Sequence, residues 1–285
     1  MVGIEYELSN MWRYCKSDSI TQQLRKIDNK GNGEAIRFID VHKIYSNKAG
    51  VAYVALKGIN ISIKTGEFVA IMGPSGSGKT TMLDLMGTLD TPTSGRIIIN
   101  GKDTSLMNGN ELAELRNSTL GFVFQSYNLV SYLTALDNVL LPTMVSGKSS
   151  PDIVSVAKDM LAEVGLGDKT GKRPNELSGG EQQRVAIVRA FVNKPKILLA
   201  DEPTGNLDTK SAKVVLDILT KMSNENHTTV VLSTHDPEVG AFAHRRIYIR
   251  DGMIEHHSDS YRVNTLNEER NISKKHKIGD KDERG

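Results

Sequence analysis

The stretch "GPSGSGKTT", Gly73 to Thr81, decides the fold. It places three glycines among its first six residues, then a lysine and two hydroxyls. The buried-strand run "FVAIM", Phe68 to Met72, precedes it, and the helical pattern "KTTMLDLMGTL" overlaps its end. Strand, glycine-rich turn and helix in this order are the setting of a phosphate-binding loop, G-x-x-x-x-G-K-[ST]. Gly73, Pro74, Ser75, Gly76, Ser77 and Gly78 give a backbone free to curl around phosphate oxygens. Lys79 brings a full charge to the β- and γ-phosphates of a nucleotide, and Thr80 and Thr81 open a helix whose positive end faces the anion. The Thr80 hydroxyl is also a hard oxygen ligand suited to Mg²⁺. A flexible Gly/Ser turn is the alternative for the loop alone.

A phosphate loop with Mg²⁺ needs a carboxylate, and "KILLADEPTGNLD" supplies one where an apolar run ends. Asp201 follows Ile197 to Ala200 and is the candidate Mg²⁺ partner. Glu202 comes next. Consecutive residues at a strand end point in different directions, so one carboxylate can hold the metal while the other polarises a water for in-line attack on the γ-phosphate. An exposed acidic turn after a core strand is the plainer reading of the pair.

A third element, "LSGGEQQR" from Leu177 to Arg184, opens a helix, with Ser178 as N-cap and Glu181 three residues later, the spacing of a capping box. On local grounds this is equally a plain helix cap. In company it says more. The segments "GPSGSGKT", "LSGGEQ", "ILLADEP" and "STHD", in this order, resemble the nucleotide-binding subunit of an ATP-binding cassette (ABC) transporter over residues 36 to 256.

That resemblance implies a head-to-tail pair of cassettes, each ATP sandwiched between the phosphate loop of one and the signature of the other. Ser178, Gly179, Gly180 and Glu181 would then meet nucleotide held by the partner's loop. Gln125 in "GFVFQSYNLV" matches the family's glutamine loop, which meets Mg²⁺ and the transmembrane partner. His235 in "VLSTHD" matches the switch histidine, acting with Glu202 and Lys79 in catalysis. Asp208, closing "TGNLD", matches a loop crossing the dimer interface. Tyr45 in "HKIY" lies where an aromatic stacks on adenine, although an aromatic closing a strand more often simply packs. "LDTPTSGRIIINGKD", "ALDNVLLP" and "ADEPTGNLD" most resemble the lipoprotein-release, macrolide-export and cell-division cassettes. These imply a homodimer working with a separate integral membrane permease, peripheral on the inner face of the cell membrane.

The rest of the chain fits this reading. Its 36 basic and 34 acidic residues leave a net charge of +2, so no strong field argues for nucleic acid as a ligand. A single cysteine, Cys15, suits a reducing compartment, and the start resembles no signal peptide. Short β-rich runs alternate with helical patterns, which predicts an α/β fold: a mainly parallel sheet with helices, an antiparallel β subdomain near the start and an α-helical signature subdomain over about residues 126–176. Residues 1–35 read as a polar extension and 257–285 as a charged tail, both expected to lack order. Tyr6, Trp12 and Tyr14 in the extension suit a membrane or partner contact, or nothing specific. A soluble cassette ATPase acting on ribosomes or DNA is the alternative, and a non-enzymatic regulator would be expected to lack Lys79 or Glu202.

Overall fold

The computed structural model describes residues 33–46, 52–145 and 151–259. The aromatics and the cysteine of the front segment, and most of both terminal extensions, lie outside them. Near its start the chain builds a hairpin from β1 (Glu34–Ser46) and β2 (Ala52–Lys64). After β3 (Phe68–Met72), helix α1 (Lys79–Met86) leads to β4 (Ser94–Ile99) and β5 (Lys102–Asp103). Helix α2 (Gly109–Thr119) feeds β6 (Leu120–Val123). Helices α3 (Ala135–Val145) and α4 (Pro151–Glu163) come next, then α5 (Gly179–Phe191) and β7 (Ile197–Asp201). The chain continues through α6 (Thr209–Asn226), β8 (Thr229–Thr234), α7 (Pro237–Gly240), β9 (Arg245–Arg250) and β10 (Met253–Asp259).

Among the described residues the strands form two sheets. The antiparallel one runs β2-β1-β4-β5 and the larger one runs β10-β9-β3-β8-β7-β6, parallel except for the closing β9-β10 hairpin. Both were expected from the sequence.

The central strands are apolar throughout because each face has its own cover. Along β3, Val69 and Ile71 point into a core shared with α1 and the antiparallel sheet, while Phe68, Ala70 and Met72 point into a second core under α5 and α6. β7 repeats the alternation, with Ile197 and Leu199 on one side and Leu198 and Ala200 on the other. The two-residue period of a strand thus assigns one hydrophobic run to two cores. A third cluster, built on Val139, Leu161, Val185 and Val188, welds α3 and α4 to the flank of α5. The ends of β3, β7 and β8 lie side by side in register, Met72 against Thr234 and Asp201 against Ser233. Functional loops of an open parallel sheet gather at such carboxyl ends.

Candidate active site

The loop from Gly73 leaves β3 and packs so tightly that a side chain at Gly73 would lie 2.1 Å from the Ile249 carbonyl oxygen. Gly78 caps α1 with φ 107°, a left-handed conformation that glycine adopts without strain. Lys79 is buried, and its Nζ donates to the carbonyls of Gly73 (2.9 Å) and Pro74 (3.0 Å). The cation therefore sits inside its own loop. Ser77 is buried too, its hydroxyl facing the position that a Gly73 side chain would fill.

Both acids stand opposite. The Thr80 hydroxyl donates to the two carboxylate oxygens of Asp201 at 3.3 and 3.2 Å. Glu202 adopts φ 43°, in the left-handed region. It meets His235 Nδ1 at 3.0 and 3.1 Å and lies 3.9 Å from Lys79 Nζ. A non-glycine residue in this region costs of order 1 kcal/mol and marks a position held by its surroundings. Gln125 lines the same pocket, its carbonyl accepting from Asn206 Nδ2 at 3.0 Å. Together Lys79, Thr80, Gln125, Asp201, Glu202 and His235 face a cavity of about 590 Å³, the size of a small-molecule site.

The signature residues do not line this cavity. Ser178 caps α5, its hydroxyl accepting from the Glu181 amide at 3.4 Å while the Glu181 carboxylate accepts from the Ser178 amide at 2.9 Å. Lys169 also donates to Glu181. The Lys169 bond, first, and the Ser178 amide hold that carboxyl below its ordinary range despite burial. Gly179 and Gly180 follow, and a side chain on Gly179 would meet the Tyr127 hydroxyl at 2.8 Å. Asp208 caps α6, accepting from the Ser211 amide (3.0 Å) and hydroxyl (2.6 Å).

Tyr45 stands to one side of the pocket. Its hydroxyl donates to Asp90 at 2.8 Å, and Lys43 Nζ lies 4.7 Å from its ring centre. The aromatic that does line the cavity is Tyr53, its cross-strand neighbour, whose hydroxyl donates to the Gly76 carbonyl at 3.1 Å. Sequence reasoning passed over Tyr53 because nothing local shows that the hairpin register sets it opposite Tyr45. It also passed over Arg189, which is largely buried and donates to the carbonyls of Tyr127 (2.8 Å) and Asn128 (2.6 Å) just beyond Gln125.

Fold and site together define an ATPase of the phosphate-loop class. The ABC transporter family model matches residues 56–205. The chain is 50% identical over 202 residues to the lipoprotein-releasing system ATP-binding protein LolD of Aquifex aeolicus, a match covering 71% of this chain and 90% of that protein. It is 48% identical over 219 residues to the macrolide export ATP-binding/permease protein MacB of Brucella melitensis, covering 77% of this chain but 34% of that longer protein. A solved dimeric bacterial ABC transporter cassette aligns with a TM-score of 0.74 at 43% identity, covering 79% of this chain and 98% of the other. A post-hydrolysis cassette dimer bound to ADP and Pi aligns with a TM-score of 0.72 at 41% identity, with the same coverage. This chain belongs to the ABC transporter family, in the group of LolD- and MacB-like cassettes, and is an ATP-binding, ATP-hydrolysing cassette.

Proposed function

We propose that the protein is the energising subunit of a transporter, working as a homodimer that closes around two ATP and drives a separate membrane permease. The observation that carries this reading is the separation within one chain. The phosphate loop, both acids and His235 face one cavity, while Ser178 and its helix end stay outside it. A signature that cannot reach its own cavity can complete that of a second copy.

Within the site Lys79 binds the β- and γ-phosphates, exchanging two carbonyl contacts for charged ones. Glu202 acts as general base toward water, and the His235 Nδ1–H holds its carboxylate in position. Thr80 and Asp201, with Gln125, supply the hard oxygens that suit Mg²⁺, as the 3.2 Å approach of the Thr80 hydroxyl to Asp201 supports. Mg²⁺ held by these residues would supply Lewis-acid charge that offsets that of the phosphates. Tyr45 and Tyr53 would flank the base and ribose.

A second cavity, of about 430 Å³, lies between α2, β6, α3 and α5, lined by Phe122, Phe124, Pro142, Arg116 and Arg189. Its lining mixes apolar and cationic side chains. This supports it as the groove for a permease segment, and a subunit docked there would sit peripherally on the inner face of the membrane. Among the described residues no helix is long and apolar enough to cross a membrane. The LolD and MacB relatives support lipoprotein release or export as the work done, with force transmission to the permease as the further reading.

The decisive experiment is light scattering on Glu202→Gln with and without ATP and Mg²⁺, with Lys79→Ala as control. Nucleotide-dependent dimerisation of Glu202→Gln, absent in the control, is expected. A Glu202→Gln variant that binds ATP yet stays monomeric would overturn the sandwich for the isolated subunit.

A further inference from the structure

Ser233 precedes Thr234 and His235 at the end of β8 and is completely buried. A hydroxyl in such a place needs its bonds satisfied, and this one spends them on the two acids of the site. An ionised carboxylate only accepts, so the Ser233 hydroxyl donates to Asp201 Oδ1, at 2.5 Å. The Ser233 hydroxyl oxygen in turn accepts the Glu202 amide N–H at 3.0 Å, and that N–H also approaches the Ser233 carbonyl at 3.2 Å. Parallel pairing of β7 with β8 sets Asp201 directly against Ser233, so the arrangement follows from sheet register.

One side chain thus touches both carboxylate-bearing residues in different ways. It turns the Asp201 carboxylate toward Thr80, and it ties down the amide of Glu202, whose backbone sits at φ 43°. Asp201 and Glu202 are neighbours that must face different tasks, and the backbone between them has to hold an unfavoured conformation to allow it. Valine or alanine would fill the strand position as well and would do neither. We infer that Ser233 is a positioning residue for ATP hydrolysis: it orients the metal-binding carboxylate and the catalytic base together, without touching nucleotide.

The inference rests on the roles proposed above for Asp201 and Glu202, and the test separates the two. Binding of the fluorescent analogue mant-ATP to the full-length protein is measured in EDTA and across a Mg²⁺ titration, for wild type, Ser233→Ala, Ser233→Thr and Asp201→Asn. Bound Mn²⁺ is followed in parallel by electron paramagnetic resonance. Removing an outer-shell partner typically costs 10- to 100-fold in metal affinity or activity, so Ser233→Ala should need about tenfold more Mg²⁺. Its affinity in EDTA should match wild type, because its fold and phosphate loop are untouched. At saturating Mg²⁺ its kcat should fall with KM for ATP nearly unchanged, and Ser233→Thr, which restores the hydroxyl, should recover the Mg²⁺ requirement. If Ser233→Ala loses affinity equally in EDTA and in Mg²⁺, or keeps the wild-type Mg²⁺ requirement while Asp201→Asn shifts it, the positioning role is wrong and the site reading survives. If Asp201→Asn leaves the Mg²⁺ requirement unchanged, the metal assignment itself fails.

Discussion

Glu202 illustrates how much a single position carries. Its carboxylate has His235 on one side and Lys79 on the other, and a positioned general base contributes about 10²- to 10⁴-fold to a rate. Glu202→Gln should therefore retain nucleotide binding and lose ATP turnover by about that factor, as a phosphate-release assay will read. The Lys43–Asp90–Tyr45 cluster makes a second residue-level prediction. Burial alone would raise the Asp90 carboxyl, but hydrogen bonds from Lys43, the Thr91 amide and Tyr45 together hold it below its ordinary range. A depressed carboxylate stabilises the fold fully above about pH 4 and loses that contribution as pH falls through the lowered value. The pH dependence of the thermal midpoint below pH 4 should accordingly flatten in Asp90→Asn. That Lys79, Asp201 and Glu202 would face one cavity was readable from sequence, because a phosphate loop and an acid pair at a strand end have a local spacing. Tyr53 and Ser233 were not, since each owes its place to strand register.

At the scale of elements, loops held by buried polar groups are the least visible in sequence. The run Val130 to Leu141 reads as apolar, yet its organiser is Asn138 on α3, which is fully buried. Its Oδ1 accepts from the Val130 amide at 2.7 Å, and its Nδ2 donates to the carbonyls of Val130 (3.1 Å) and Thr134 (3.0 Å). The side chain braces the loop that leads into α3. Each buried partner left unsatisfied costs about 1–3 kcal/mol, so Asn138→Ala should lower stability by at least that much in urea denaturation. β6 meets α5 just as closely: a side chain at Gly121 would lie 2.6 Å from the Ala190 carbonyl oxygen. Gly121→Ala should cost about 1–3 kcal/mol through forced backbone shifts, by the same measurement. The fold class was legible because apolar strands alternating with amphipathic helices leave few alternatives. The brace and the close approach were not, because a lone Asn or Gly has no period.

For the whole molecule, the relevant unit is the pair. If each site joins one copy's loop to the other's signature, a Lys79→Ala chain and a Ser178→Arg chain fail for complementary reasons. A two-fold pair built from one of each has a single intact site, so an equimolar mixture of two inactive proteins should regain about a quarter of wild-type ATPase activity. Separate sites within each chain would give no recovery. The ammonium of Lys79 sits on two carbonyls of its own loop, so the curl of the loop and the cation at its end hold each other in place. Replacing Lys79 therefore removes a clasp on the loop as well as a charge, and the silent half of such a mixed pair is loosened where it is also disarmed.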